Sequence, residues 1–349
     1  MSLQEIISKI QPLDEAAMEA ARIRQDDLTK PRGSLGQLED LSVQIAGITG
    51  EERPKIVHKV VTTMAGDHGV VAEGVSAYPS EVTPQMVMNF VFGGAAINVL
   101  AKHVGARVTV VDMGVASEID HPDVLNKKVA LGTDNIAKGP AMTRAQAIQA
   151  LEAGAHVVKA ELEKGLDILA TGDMGIGNTT PSAAIAAVIT GRSPADIVGR
   201  GTGVDDEGLQ RKINAVKNAL EVNQPDAKDG IDILAKVGGF EIGGLAGAVL
   251  AAVAHRKPVV IDGFISTAAA MIAVSLAPQA RDYLISAHRS QELGHQIMLE
   301  WLGLEPLLDL QLRLGEGTGA VLAISLVEGA CKILDEMATF SEAGVSDKE

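Results

Sequence analysis

Three stretches of this sequence place ionisable side chains among glycines in ways that chemistry can use. The first is Leu312-Arg313-Leu314-Gly315-Glu316-Gly317-Thr318-Gly319. A carboxylate between two glycines has no adjoining side chain to crowd a ligand. Where an apolar ligand excludes water, that carboxylate holds a proton more tightly and becomes a general base near neutral pH. An acid placed at a helix start, where the dipole favours it, fits the same residues. The second stretch is Gly172-Asp173-Met174-Gly175-Ile176-Gly177-Asn178-Thr179-Thr180-Pro181. Pro181 suits a first helical turn, and Asn178, Thr179 and Thr180 are all capping residues. Its glycines let backbone approach a ligand, and the unpaired N–H groups attract an anion. The third is Gly199-Arg200-Gly201-Thr202-Gly203-Val204-Asp205-Asp206, ahead of a helix carrying Arg211 and Lys212. Amides with cations nearby suit a phosphate, although either glycine loop taken alone reads equally well as a plain turn.

Other residues offer weaker chemistry. Tyr78-Pro79-Ser80 leads to Gln85, Met86 and Met88 in a loop opening a long helix. A tyrosine with soft methionines suits a flat heteroaromatic ring, and it also suits a hydrophobic clamp on the helix start. His288, Glu292 and His295 recur at helical spacing and carry metal-binding atoms, but a hydrogen-bonded helix face explains them better, and no metal is expected. Asp67-His68 reads either as an acid–base pair or as a turn. No G-x-x-x-x-G-K-[ST] occurs, and no G-x-G-x-x-G follows the first strand, which argues against a P-loop ATPase and a dinucleotide dehydrogenase.

The elements that must position these groups follow from periodicity. Helices are predicted over 14–27 and 37–48, then over 83–103, 143–164, 181–190, 205–221, 243–255, 267–276, 290–302 and 319–337. Between them lie short β-branched or apolar runs at 57–63, 107–112, 167–171, 258–262, 283–287 and 307–312. Strands of this kind separated by helices imply an α/β fold, a parallel sheet with helices on both faces. Each predicted strand ends in a glycine or polar cluster, and ligands of open α/β sheets bind at the carboxyl ends. The tail after Thr339 reads as polar and frayed.

Composition narrows the function classes. The 349 residues are 46% apolar and carry a formal charge of −15, and only 2% are aromatic, which argues against nucleic-acid binding. No uncharged apolar run reaches the roughly 18 residues of a membrane span. The start of the chain lacks signal-peptide character, and Cys331 is the single cysteine. These features point to a cytoplasmic protein.

Taken in order, the motifs resemble the nicotinate-nucleotide–dimethylbenzimidazole phosphoribosyltransferases, which activate the lower ligand of cobalamin. The likeness is carried by Thr29-Lys30-Pro31-Arg32-Gly33-Ser34-Leu35-Gly36, Gly66-Asp67-His68-Gly69-Val70, Gly175-Ile176-Gly177-Asn178-Thr179-Thr180, Asp262-Gly263-Phe264, Ser286-Ala287-His288-Arg289-Ser290 and the stretch from Arg313 to Gly319. It spans most of the chain.

The resemblance implies a Rossmann-like α/β domain over 51–337 and a small helical domain from 1–50 and 338–349. It also implies a homodimer that needs no cofactor. The implied reaction takes nicotinate mononucleotide and 5,6-dimethylbenzimidazole to α-ribazole phosphate and nicotinate. Glu316 would be the general base, with Asp173 as a second catalytic acid. Position 173 carries Asp where this family more often has Glu, one methylene longer. Gly175, Ile176, Gly177, Asn178, Thr179, Gly201, Thr202, Gly203, Lys212, Asp262 and Ser290 would hold the nucleotide. Tyr78, Pro79, Ser80, Gln85, Met86 and Leu314 would line the heterocycle pocket.

Overall fold

The computed structural model describes residues 2–201 and 203–346. Thr202 of the predicted phosphate loop and the last three residues of the 338–349 segment lie outside that range. Six strands form one sheet: β1 (Lys59–Gly66), β2 (Ala106–Gly114), β3 (Val124–Asn126), β4 (Ile168–Met174), β5 (Val259–Ile261) and β6 (Leu284–Ser286). All are parallel, in the order β3-β2-β1-β4-β5-β6. The central strands are long apolar or threonine-rich runs buried on both faces, as a helix-covered parallel sheet requires. From β1 the chain winds outward to β2 and β3, then returns to β4 and winds the other way. The crevice between the carboxyl ends of β1 and β4 is therefore the topological switch point.

One face is covered by helices Arg144–Glu163 and Phe240–Ala254, which pack on each other backbone to backbone. A Cβ at Gly154 would come within 1.8 Å of the Gly244 carbonyl oxygen, so glycine is required there. The other face carries helix Thr318–Glu336, flanked by helices Ala96–Val104 and Gln37–Thr49. The ends of the chain meet beside that helix. Leu28 bridges antiparallel to Thr339, and the Arg24 guanidinium donates to the carbonyls of Leu334, Asp335 and Met337. Ala21, Ala46 and Leu334 form a small apolar cluster of their own.

Four element readings need correction. The run 307–312 is not a strand. It is an irregular edge segment joined to the stretch after β6 through one bridge, Leu308 to His288, so Glu316 does not follow a strand. The sixth strand is instead the three-residue β3. The helix expected over 83–103 is two helices, Val82–Val91 and Ala96–Val104, broken at Gly93-Gly94. Each is far shorter than the roughly 20 residues that cross a bilayer, although 82–104 as one segment is apolar enough and largely uncovered. The helix expected from Ser290 begins at His295. The tail is ordered through helix Phe340–Ala343, where Thr339 and Glu342 form a capping box.

Candidate active site

The site begins where β4 ends. Asp173 is 5% exposed, and its Oδ2 accepts a hydrogen bond of 2.9 Å from Asn178 Nδ2. Burial and then the charge of Asp262 push its carboxyl up to about 8, against the opposing Asn178 bond. The group therefore carries its proton through neutral pH.

Glu316 lies over β1 and β4 in a turn that has left the allowed region of most residues. Gly315, Glu316 and Gly317 have φ of 86, 64 and 95°. A non-glycine residue in the left-handed region costs about 1–2 kcal/mol and persists only where its surroundings fix it. Here they do. Thr63 Oγ1 of β1 donates to the Glu316 carbonyl at 3.1 Å, and the Glu316 N–H donates to the Asp173 carbonyl at 3.2 Å. Gly172 of β4 allows the contact, since a Cβ there would stand 2.2 Å from the Glu316 carbonyl oxygen. The Glu316 side chain points toward helix 96–104, whose Ile97 N–H donates to Oε2 at 3.3 Å. Burial raises the carboxyl's proton affinity, with the Ile97 N–H opposing and the charge of Asp262 adding.

Both acids line a cavity of about 380 Å³, within the usual range for small-molecule sites. Tyr78, Val82 and Met86 of the segment 78–86 and Leu314 contribute apolar wall, as expected, together with Met174, Phe264 and Ile265, which were not expected there. The loop after β4 contributes Gly175, Ile176, Asn178 and Thr179. Its Ile176 N–H donates to Thr83 Oγ1 at 3.1 Å, which joins the helix 82–91 to the loop. Gly201, His288, Ser290, Glu292 and Arg313 contribute further polar wall.

Lys212 stands behind Thr179 and Gly201. It is 1% exposed, and its Nζ donates to Thr179 Oγ1 at 2.9 Å. Burial pushes the ammonium down to about 8, and the charge of Glu292 opposes the shift. Glu292 lines the cavity too, with one buried oxygen, Oε2, unbonded.

Several expected contact residues are not on the cavity wall. Pro79 and Gln85 are exposed, Ser80 is half-buried outside it, and Gly203 is exposed on the far side of its turn. Gly177 is buried against Val71 with φ +86°, which serves the turn rather than a ligand. Asp262 is fully buried, and both its oxygens are taken by backbone N–H groups.

The histidines resolve differently from the sequence patterns. His68 is not paired with Asp67. Its Nε2 meets Glu241 Oε1 at 2.7 Å, whereas Asp67 accepts from the Ala116 N–H. Burial works against the charged form of His68, but Glu241 overcomes it and raises the proton affinity. His288 and Glu292 precede the helix that begins at His295, so the three share no helix face. His295 Nδ1 accepts from the Ser290 N–H at 2.9 Å, so its proton is on Nε2, facing Thr267 Oγ1 at 3.0 Å. Burial, with the charges of His288 and Arg289, holds it neutral, at about 3. Among the described residues no group of three His, Cys, Asp or Glu side chains is arranged to hold a metal ion.

Comparison with known proteins finds relatives over nearly the whole chain. The sequence model of a family described as Phosphoribosyltransferase matches residues 10–345. The chain is 63% identical over 347 residues to the nicotinate-nucleotide–dimethylbenzimidazole phosphoribosyltransferase of Roseiflexus sp. (strain RS-1), covering 99% of this chain and 98% of that one. It is 59% identical over 348 residues to the protein of the same name from Chloroflexus aggregans, covering 99% of each. The crystal structure of the Thermus thermophilus enzyme of that name superposes with a TM-score of 0.92 at 48% identity, covering 96% of this chain and 100% of the other.

Proposed function

The chain belongs to the nicotinate-nucleotide–dimethylbenzimidazole phosphoribosyltransferase family, pentosyltransferases of cobalamin biosynthesis, and from that premise we propose a specific reaction and base. The phosphoribosyl group of nicotinate mononucleotide passes to 5,6-dimethylbenzimidazole, giving α-ribazole 5′-phosphate and nicotinate. Glu316 is the general base. The observation that carries this reading is the placement of Glu316: a clamped carboxylate with raised proton affinity, on the wall of an apolar cavity above the β1/β4 switch point.

The chemistry matches the groups present. Nicotinate leaves as its C1′–N bond electrons return to the pyridinium ring, so the departing group needs no acid. The sugar carbon passes through an oxocarbenium-like state. A neutral benzimidazole nitrogen attacks with its lone pair, and the positive charge that develops is relieved when the ring's other N–H gives its proton to Glu316. Asp173, protonated at neutral pH, acts as a hydrogen-bond donor to the bound ligands and places no second charge beside the base. Lys212 with Gly201, Thr179 and Ser290 takes the 5′-phosphate, while Tyr78, Met86 and Leu314 take the benzimidazole. Holding both reactants in one cavity supplies much of the remaining acceleration.

The direct test incubates the protein with nicotinate mononucleotide and dimethylbenzimidazole and follows nicotinate release and product mass. Release with formation of α-ribazole phosphate is expected. Nicotinate release that does not depend on the benzimidazole would mean hydrolysis and would remove this reading.

A further inference from the structure

The turn that presents Glu316 is held by three hydrogen bonds from the sheet side, and only one comes from a charged side chain. Asp262, at the end of β5, accepts from the Gly317 N–H at 3.2 Å through Oδ2 and from the Ala320 N–H at 2.9 Å through Oδ1. The helix 318–336 has no capping side chain of its own, because its cap residue is Gly317. A carboxylate supplied from a distant strand thus satisfies two of its orphaned donors and faces the positive end of its dipole. His288 packs on the other side, with Nε2 at 3.6 Å from Asp262 Oδ1. Gly319 makes room for that ring, since a Cβ there would stand 2.0 Å from His288 Cδ2. Asp262 does not reach the cavity wall and has no oxygen left for a ligand.

We propose that Asp262 is a positioning residue for phosphoribosyl transfer, fixing the strained turn at Glu316 and acting on catalysis only through that carboxylate. The proposal rests on Glu316 being the base. Two consequences of the geometry follow. Without the Gly317 bond, the left-handed Glu316 loses an anchor and relaxes toward ordinary backbone, moving the carboxylate from its aim. In addition, the Asp262 anion strengthens Glu316 as a base, second to the effect of burial. Other titratable groups in the same neighbourhood are Asp173 from β4, the His288 ring beyond β6, and the His68–Glu241 pair reaching Asp173 from the far side of the sheet.

The test compares Asp262→Asn in the wild type and in a Glu316→Gln background. Asparagine keeps the shape but loses the charge and one acceptor. In the otherwise wild-type protein we expect kcat to fall about tenfold or more with KM for both substrates nearly unchanged. The acid limb of the kcat/KM profile should move down by about half a pH unit or more. In the Glu316→Gln background the same change should have little further effect, because two residues acting through one group are not additive. Asp262→Glu, which keeps the charge, should leave the acid limb at its wild-type pH even where turnover drops. It also serves if the asparagine variant does not fold. An equal loss in both backgrounds, or a loss confined to KM, would overturn the proposal. If Glu316→Gln itself keeps full turnover, the base assignment falls and this inference with it. A dead Glu316→Gln alongside a fully active Asp262→Asn removes the positioning role alone.

Discussion

The two polar ends of the cavity show one physical effect with opposite results. At the end of β4 and the 315–317 turn, burial acts on carboxyls and raises their hold on protons. At the other end burial acts on Lys212 and weakens its hold, down to about 8. In the first case the loss of water makes a better base and silences a second acid. In the second it leaves a cation that still carries its proton at neutral pH but holds it less firmly than an exposed lysine. A ligand phosphate beside it, as proposed above, would hold that proton in place. Burial therefore favours the uncharged form in both places, and at the carboxyls the charge of Asp262 adds to it.

Substitutions at each end should separate these roles. Glu316→Gln should lower kcat by on the order of 10²-fold or more with substrate KM values little changed, measured by nicotinate release at saturation. Lys212→Met should raise KM for nicotinate mononucleotide by about 10- to 100-fold, the worth of a charge-assisted bond to phosphate. With the corresponding riboside, which lacks the phosphate, wild type and variant should be equally poor, and a persisting difference would take Lys212 away from the phosphate. Asp173→Asn should flatten the dependence of stability on pH. The folded carboxyl keeps its proton up to about 8 against an ordinary 3.8. Its contribution is thus whole below the lower value and is lost as pH rises toward the upper one. Melting temperatures between about pH 4 and pH 8 should fall less in the variant than in the wild type. Met86→Ala should raise KM for dimethylbenzimidazole only a few-fold, about the worth of trimming a half-buried apolar contact, and leave the nucleotide KM alone.

What the amino-acid pattern showed and what it hid have identifiable causes. The strands at 59–66, 106–114 and 168–174 were legible because each is a long run rich in apolar or β-branched residues, buried almost throughout in the first and third and over its second half in 106–114. Val124–Asn126 was not, since three residues carry no period. The run 307–312 alternates leucine with polar residues as a strand would, yet it lies at the sheet edge beside β6 and pairs at one bridge only. The break at Gly93-Gly94 was hidden by strong helical periodicity on both sides. At the site, Gly-Glu-Gly singled out Glu316 as a candidate from sequence alone, and the fold puts it on the cavity wall. Its anchors could not be read there, because Thr63, Asp173, Ile97 and Asp262 are brought to it from four separate elements. Asp262 shows the limit most plainly: it was expected to hold the nucleotide, but its oxygens accept from backbone N–H groups, and a hydrogen bond to backbone leaves no side-chain signature.

The contact between Gly172 and the Glu316 carbonyl also sets a schedule. All six strands are complete by Ser286, thirty residues before the base appears in the chain. The sheet, its switch point and the lysine end can therefore assemble while the 315–317 turn is still unplaced. Docking of that turn onto β4 joins segments far apart in sequence, the kind of step that comes late because its loop must close first. Competence for the proposed reaction, on this timetable, requires that helix 318–336 has docked.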